Sequence, residues 1–494
     1  MTVPTSTEGI ESTSAQQLAP ERAVGAAAPA PQARTSVWRD LKDAMRGTSH
    51  DYTQGPIGRA IFLLAVPMVL EMMMESLFAV SDVFFVSKLG ANAIATVGLT
   101  ESLMIIVYTI AMGLSISATA VVARRIGERD PDAAARAAVQ AILLGFVIAS
   151  TLGVIGAVWA PELLTMMGAT PDVLEVGTGF ARVMLGGSIT AFLLFIINSA
   201  LRGAGDAAVA MRVLWLANGI NIVLGPLLIF GVGPFPEMGV VGAAVATTIG
   251  RGTGVLFALS RLVRGSGHLV VRRSHLAIET DTIKRMLRMS LNGTFQVLVG
   301  TLSWIALVRL MATFGSVAMA GYTIAVRVVV FALLPAWGLS NAAATMVGQA
   351  LGAKNPDRAE KAVWTAARYN VAFLGAMGLL FVLTAPYIVG AFTTDPAVVE
   401  VATFGLRTMA FGFPFFAFGM TLTQSFNGAG DTATPTWINI GVFWLFEIPL
   451  AVGLALLTPM GSHAVFVSVL VAYTMLAVVS TILFRRGKWR GRAV

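Results

Sequence analysis

The chain of 494 residues has no cysteine, only four histidines and few charged residues. Without cysteine it can form no disulfide, thiolate nucleophile, iron–sulfur cluster or cysteine-type zinc site. The histidines, at positions 50, 268, 275 and 463, lie in predicted tails and connections, and none has the spacing of a metal-binding pair. Charged residues make up 12% of the chain, against roughly 25% in soluble domains. With 56% hydrophobic residues, this composition predicts a polytopic membrane protein.

Residues 1–55 contain no long apolar run and are rich in alanine, proline, serine and threonine, which predicts a disordered tail. The net charge of +8 suggests nucleic-acid binding at first sight. In so apolar a chain, the excess of basic residues instead indicates loops beside an anionic membrane. The expected partners are therefore the lipid bilayer and a small molecule, with no nucleic acid.

Apolar segments of roughly 20–28 residues follow the tail, each long enough to cross a bilayer as a helix. We number the predicted spans 1 to 12: 60–87, 93–122, 134–159, 174–198, 211–231, 239–262, 285–312, 317–348, 360–390, 398–424, 435–457 and 463–484. Basic residues concentrate in the connections after even-numbered spans, and Lys88 is the exception. The positive-inside rule then places both termini of this multi-pass membrane protein in the cytoplasm.

Two short motifs occur twice at one spacing. IGERDPDAA at 126–134 returns as LGAKNPDRA at 351–359, and RGAGD at 202–206 returns as NGAGD at 427–431, each 225 positions later. The glycines of the second motif suit a tight turn, and its aspartate suits a cap on the next helix. The repeat predicts an all-α fold of two six-helix lobes related by a parallel pseudo-twofold axis. The predicted boundaries are 56–264 for the N-lobe, 265–284 for a linker, 285–484 for the C-lobe and 485–494 for a basic tail.

Three acids occupy the first span. Glu71, Glu75 and Asp82 fall within roughly 40° on one helical face. A carboxylate at membrane depth is costly and marks an ion or substrate path when it faces protein or water. These acids are the candidates for ion or proton coupling. The alternatives are a buried structural acid for Asp82 and a solvated cavity face for Glu71 and Glu75.

Further charged residues interrupt other spans. Glu101 in span 2 and Arg327 in span 8 stand at adjacent positions of the repeat, which suggests a gate formed by their pairing across the lobes. Separate local partners are the alternative. Glu447 in span 11 lies within an apolar run and needs a partner or water, so it is a candidate for the substrate cavity or for proton binding.

With the repeat established, the chain resembles the multidrug and toxic compound extrusion (MATE) family from about residue 55 to 485. The paired RGAGD and NGAGD motifs, the Gly-x-x-x-x-Pro-Asp turns, the aspartate of VSDVFFVSKLG, and the WIN and EIPL segments of span 11 carry the resemblance. It implies two six-helix lobes in a V, a place in the inner (plasma) membrane, and export of large, often cationic amphipathic compounds in exchange for Na⁺ or H⁺.

The resemblance also implies roles for particular residues. Asp82 matches the ion-binding aspartate of the first helix, and Asn221 matches a polar ligand of the fifth. Gly225 stands where many members have an aspartate, and Asn218 is a partial substitute one turn earlier. Gln296 stands in span 7, where some members have a glutamate, and is assigned to the cavity. Asp82 and Asn221 would be metal ligands only with Na⁺ coupling, and the loss of a carboxylate at Gly225 favours H⁺.

The sequence therefore predicts a secondary antiporter that exports amphipathic, cationic compounds by alternating access, driven by H⁺ or Na⁺ and working as a monomer. A negatively charged wall would attract the cation, and protonation would release it. No ATP-binding motif occurs and no cofactor is expected. The alternative is a flippase for lipids or lipid-linked oligosaccharides, which would need several Arg or Lys in its cavity. A membrane-embedded enzyme would need clustered metal-binding acids or a catalytic histidine, and the sequence has neither.

Overall fold

The computed structural model describes residues 37–47, 50–265 and 267–492, and these ranges contain helices and no strand. The α-helices are α1 Val37–Arg46, α2 Ile57–Ser87, α3 Ala91–Gly127, α4 Pro131–Val158, α5 Ala160–Met166, α6 Pro171–Gly186, α7 Ser188–Ala204, α8 Ala207–Phe230, α9 Val240–Arg264, α10 Thr280–Ala312, α11 Ser316–Gly352, α12 Pro356–Gly390, α13 Pro396–Phe411, α14 Phe413–Gly428, α15 Ala433–Asn439, α16 Ile448–Leu457 and α17 His463–Arg485. Short 3-10 helices cover Arg273–Leu276 and Lys488–Gly491, and a π-helical segment covers Ile440–Glu447.

Within the described ranges, eleven helical segments are long and apolar enough to cross a membrane. A twelfth span forms if α13 and α14, which meet at a bend of 51°, are taken together. Pro414 near the start of α14 lacks an N–H and so interrupts the helical hydrogen bonds at this bend. The predicted all-α fold with about twelve spans is confirmed.

Two apolar cores divide the bundle. The first is built mainly from α3, α4, α6, α7, α8 and α9, and the second from α11 to α14 and α17. The first helix of each half crosses to the other half: Met286 and Met289 of α10 join the first core, whereas Ile61 and Met68 of α2 pack with Met346 of α11. The contacts of α2 with α11 and of α10 with α3 therefore form the seam between the halves.

The backbones of the two halves touch on the side of the bundle that holds both described chain ends, which we call the terminal face. A Cβ atom added to Gly352 would collide with the carbonyl oxygen of Arg124, and one added to Gly127 would collide with that of Gln349. Glycine is required at both positions because the backbones of α3 and α11 touch there. The two halves are therefore in direct contact on the terminal face.

The segment before the first span is ordered and also joins the halves. Arg358 of α12 donates hydrogen bonds of 2.6–3.1 Å to the carbonyl oxygens of Tyr52, Gln54 and Gly55. The Tyr52 ring packs against Gly205 of the N-terminal half. Disorder was predicted for all of residues 1–55. That prediction is wrong for 37–47 and 50–55, while 1–36 and 48–49 lie outside the described residues.

Helix α1 owes its position to charge pairing. Arg59 at the start of α2 lies 2.9 Å from Asp40 and 3.7 Å from Asp43, and Ala44 is buried. An amphipathic turn with two acids on one side can dock on a single arginine without an apolar run. The basic residues near α1 were predicted to form an interfacial lead-in to the first span, and the docked helix is consistent with that role.

The C-terminal end is fastened across the same face. Trp489 is buried and stacks on Phe484, with ring centroids 4.7 Å apart. The carbonyl oxygen of Arg492 accepts a hydrogen bond of 2.7 Å from Arg124 of α3. The guanidinium of Arg492 lies 3.3 Å from the carboxylate of Asp431. Because Arg124 belongs to the first half and Asp431 to the second, the last described residue bridges both.

The two GAGD turns use their aspartates differently. Gly205 has φ 93°, a left-handed conformation that suits glycine, as predicted for a tight turn. Asp431 accepts a hydrogen bond of 2.7 Å from the Thr434 hydroxyl at the start of α15. Asp206, in contrast, makes no cap on α8. Its carboxylate accepts a hydrogen bond from the backbone N–H of His268 in the connection to α10 and lies 2.8 Å from the ring Nδ1 of the same residue.

This linker contact is expected to depend on pH. The hydrogen bond to Asp206 is the main reason why the pKa of His268 lies above its ordinary value of 6.5. A base whose pKa rises on folding stabilises the folded chain fully below its unfolded pKa, and this stability is lost as pH rises through the folded pKa. We therefore expect His268→Asn to lower the melting midpoint at about pH 6 and far less at about pH 9.

Melting curves of the purified protein in detergent across this pH range test the expectation. Asp206→Asn serves as the matched variant, because it removes the other half of the pair and must abolish the same pH-dependent part. A penalty of equal size at every pH would contradict the assignment.

Candidate functional site

A cavity of about 190 Å³ lies at the seam and takes its walls from both halves. Its apolar walls include Met72, Met112, Phe195 and Trp337. The polar side chains that line it are Glu71, Glu75, Ser115, Thr119, Asn198, Ser199, Arg202, Arg251, Asn341, Thr345, Gln424 and Asn427. All four charged residues come from the first half. The cavity is thus amphipathic and has its charge on one side.

Glu71 forms a buried ion pair. Its side chain is 2% exposed, and its Oε1 lies 2.7 Å from the guanidinium of Arg202, which is 11% exposed. The amide of Asn198 donates to the same oxygen at 3.3 Å, and Arg202 also donates to the Ser199 hydroxyl at 3.0 Å. The other oxygen of Glu71 is buried and has no protein partner among the described residues. One carboxylate oxygen of Glu71 is therefore left without a donor among the described residues.

Glu75 forms a looser pair one turn further along α2. Its carboxylate accepts a hydrogen bond of 2.9 Å from the Asn218 amide and lies 3.9 Å from the guanidinium of Arg251. Arg251 reaches in from α9 and donates to the Tyr108 hydroxyl at 2.8 Å. Its guanidinium lies 5.7 Å from the ring centroids of both Phe78 and Tyr108. The two rings and the hydroxyl fix this charge in place.

Neither arginine was predicted as a site residue. Arg202 was predicted to be a basic residue in a connection, but α7 extends to Ala204, six residues past the predicted end of span 4. A signal was available within the repeat. The positions 225 residues after Glu71 and Arg202 are Gln296 and Asn427, so both partners of the pair are charged in one half and neutral in the other.

Asp82 lies on the same stripe of α2 but does not line the cavity. It is within electrostatic range of Arg251 and Glu101. Asn221 donates its amide to the Thr247 hydroxyl at 2.7 Å rather than to Asp82. In the part of the chain that the structure describes, no group of three His, Asp or Glu could hold a metal ion. The structure therefore does not assemble a cation cage from Asp82 and Asn221, and the roles of these residues stay predictions.

The other predicted cavity and gate residues lie apart. Glu101 is exposed, and no ion pair joins it to Arg327 in this structure. Gln296 is buried with its Oε1 unpartnered. Glu447, 3% exposed, ends the π-helical segment within electrostatic range of Tyr322. None of these four side chains lines the cavity, so the proposed gate and substrate contacts are absent from this conformation and stay predictions.

The charges of the cavity cancel. Glu71 and Glu75 are balanced by Arg202 and Arg251. The expected wall of free negative charge is therefore wrong for this structure, because each acid already has an arginine beside it. A cationic ligand must compete with a guanidinium for either carboxylate, and the aromatic rings of Phe195 and Trp337 offer the other attractive surfaces.

Comparison with known proteins shows which protein family the chain matches. The MatE family model matches residues 67–227 and 294–452, once in each half. The chain is 26% identical over 444 residues to a probable multidrug resistance protein NorM of Thermotoga maritima, covering 89% of this chain and 94% of that protein. It is 25% identical over 410 residues to an FAD transporter of Shewanella oneidensis, covering 81% and 89%.

A solved structure shares the fold. It is the outward-facing conformation of a multidrug resistance MATE family transporter, with a TM-score of 0.83, 26% identity, and coverage of 88% of this chain and 97% of that one. The family model matches twice over most of the chain, and the described fold agrees with its solved members. This protein therefore belongs to the MatE family of multidrug and toxic compound extrusion transporters and is not an enzyme.

Proposed function

We propose that the protein is a secondary antiporter that exports amphipathic organic compounds, cationic ones among them, in exchange for protons. The observation that carries this proposal is the cavity at the seam, where two carboxylates in the membrane-spanning region face a compartment shared by both halves. Acids in such a place mark an ion or substrate path. Na⁺ is the alternative coupling ion.

The paired charges suggest how proton and cargo alternate. While Glu71 and Glu75 are ionised, their charge offsets the two guanidinium groups, and an amphipathic cation can bind beside them. A proton on either acid removes a negative charge but leaves the arginines positive. The cavity then repels a cation by unscreened Coulomb interaction in a low-dielectric region. Proton binding and cargo binding therefore exclude each other, as antiport requires.

We further propose that the terminal face lies in the cytoplasm of a bacterial plasma membrane. The basic connections and the basic C-terminal residues lie on this side, which satisfies the positive-inside rule. In this proposal the backbone contact at Gly352 and Gly127 shuts the cavity off from the cytoplasm. One chain supplies every wall of the cavity, which supports a monomer as the working unit.

A second candidate function is export of anionic amphipathic compounds. Arg202 and Arg251 in the cavity favour it, and a relative at 25% identity is named an FAD transporter. The flippase alternative would need several unpaired basic groups. Both arginines of the cavity have acid partners, so the flippase is less well supported than either form of small-molecule export.

Efflux from proteoliposomes tests the proposal. A panel of amphipathic cations and anions is loaded, and a pH gradient or a Na⁺ gradient is imposed on the wild type and on Glu75→Gln, which removes a carboxylate of the cavity. We expect cation efflux driven by the pH gradient alone, and a fall to the leak rate of empty liposomes in Glu75→Gln because a cavity carboxylate that takes the proton is gone.

Glu162→Gln is the matched control, since Glu162 is an exposed acid of α5 remote from the cavity, and it should transport as the wild type does. Efflux driven only by Na⁺ would refute proton coupling. Efflux of the anions alone would replace the first candidate by the second.

A further inference from the structure

We propose that Arg251 is a tethered cation: its guanidinium supplies, between α2 and α3, the positive charge that a bound metal ion would supply, and so excludes Na⁺ from the first half. The inference rests on the proposed antiport and deepens it by naming the residue that selects the coupling ion. It is carried by the position of one side chain.

That position is fixed from three directions. The Tyr108 hydroxyl accepts a hydrogen bond of 2.8 Å from Arg251, and the rings of Phe78 and Tyr108 lie at equal distances of 5.7 Å from its guanidinium carbon. The side chain is only 11% exposed. A guanidinium held by two aromatic rings and a hydroxyl has lost most of its rotamer freedom, so it is a resident charge and not a snorkelling one.

The acids that face this charge are the predicted coupling residues. Glu75 lies 3.9 Å away, and Asp82 is within electrostatic range of the same guanidinium. Phe78 lies between these two acids on the stripe of α2, and its ring is one of the two that contact the guanidinium of Arg251. A metal cation that approached either carboxylate would meet the positive charge of Arg251 at short range in a low-dielectric region.

Charged oxygen ligands for a metal are also scarce here. Hard cations need several oxygen ligands at once. Asn218 donates its amide nitrogen to Glu75 and Asn221 donates its own to Thr247, so only the two amide oxygens remain as neutral ligands. Gly225 offers no side-chain oxygen. A Cβ at that position would meet nothing closer than Asn221 Oδ1 at 3.9 Å, so the space for a side chain exists. The first half thus has a tethered cation where an oxygen cage would otherwise form.

The test measures Na⁺ binding directly on the full-length protein in detergent. Melting midpoints are compared in sodium chloride and in choline chloride at equal ionic strength for the wild type, Arg251→Lys, Gly225→Asp, and the double variant Arg251→Gln/Gly225→Asp. A ligand that binds only the folded state raises the midpoint. We expect a Na⁺-specific rise of about 2 °C or more in the double variant, and none in the three proteins that keep a cation at position 251.

Two results would overturn the proposal. One is a Na⁺-specific rise in the wild type or in Gly225→Asp, since Arg251 is present in both. The other is a folded double variant that does not respond to Na⁺, which would leave Arg251 as a cavity-lining residue without a role in ion choice. If the double variant does not fold, Gly225→Asp alone decides the matter, because the added carboxylate must stay insensitive to Na⁺ while Arg251 remains.

The melting assay needs no transported compound. A failure of efflux in proteoliposomes with the expected Na⁺ pattern would remove the proposed cargo and leave the tethered cation standing. Efflux together with a Na⁺-specific rise in the wild type would support the proposed export and remove the tethered cation.

Discussion

Replacing Arg202 by methionine is expected to cost roughly 3–5 kcal/mol of the free energy of unfolding. The change leaves Glu71, which is 2% exposed, without the guanidinium that lies 2.7 Å from its carboxylate. A buried charge that loses its partner retains the full cost of its desolvation. Replacing both residues by methionine should be close to neutral for stability, because no charge is then left buried, yet it should abolish transport.

Equilibrium unfolding in mixed detergent micelles measures these costs. The single variants Glu71→Met and Arg202→Met form a thermodynamic cycle with the double variant. Asn427→Met is the matched control, since Asn427 occupies the equivalent position of the second half and is 3% exposed. It donates one hydrogen bond, to Gln424 at 2.8 Å, so its loss should cost about 1 kcal/mol. If Arg202→Met costs no more than Asn427→Met, the pair does not stabilise the fold.

Replacing Gly352 by valine is expected to prevent closure of the terminal face and to reduce transport by about tenfold or more. The new Cβ collides with the carbonyl oxygen of Arg124, and backbone on backbone cannot relax by a rotamer change. Each 1.4 kcal/mol of strain in the closed state lowers its share about tenfold relative to other conformations. The fold of each half should survive, because the collision lies between the halves.

The chain has no cysteine, so a single introduced thiol reports this change without background. Asn341→Cys places that thiol in the cavity wall. A membrane-impermeant maleimide added on the terminal side should label it faster in the Gly352→Val background than in the wild-type background. Gly300→Val is the control, since a Cβ there meets no atom within 4 Å. Equal labelling in all three proteins would show that the glycine contact does not set the closed state.

The number of spans follows from apolar length alone, because a bilayer permits few alternatives to a helix of that length. The residues of the cavity cannot be predicted from apolar length. Arg202 ends an apolar segment, where an arginine ordinarily belongs to a loop, and only the continuation of α7 to Ala204 carries it inward. Arg251 lies inside a predicted span, yet its partners come from α2 and α3, far along the chain.

The ordered lead-in shows a different limit of composition. Averaged over residues 1–55, the tail is polar and rich in small residues, which predicts disorder. The ten residues of α1 depart from that average, and their order depends on Arg59, 19 positions after Asp40. A composition averaged over a stretch of sequence does not register a contact with one distant arginine.

The Glu71–Arg202 pair also constrains how the protein is made. The ribosome must add 131 residues after Glu71, the last of them Arg202, before the pair can form. At ~5–20 residues per second this takes roughly 7–26 s. Throughout that interval α2 carries an ionisable acid at membrane depth with no cation to match it. Helix α2 cannot settle alone in lipid at low cost, so it depends on the insertion machinery or on water until α7 emerges.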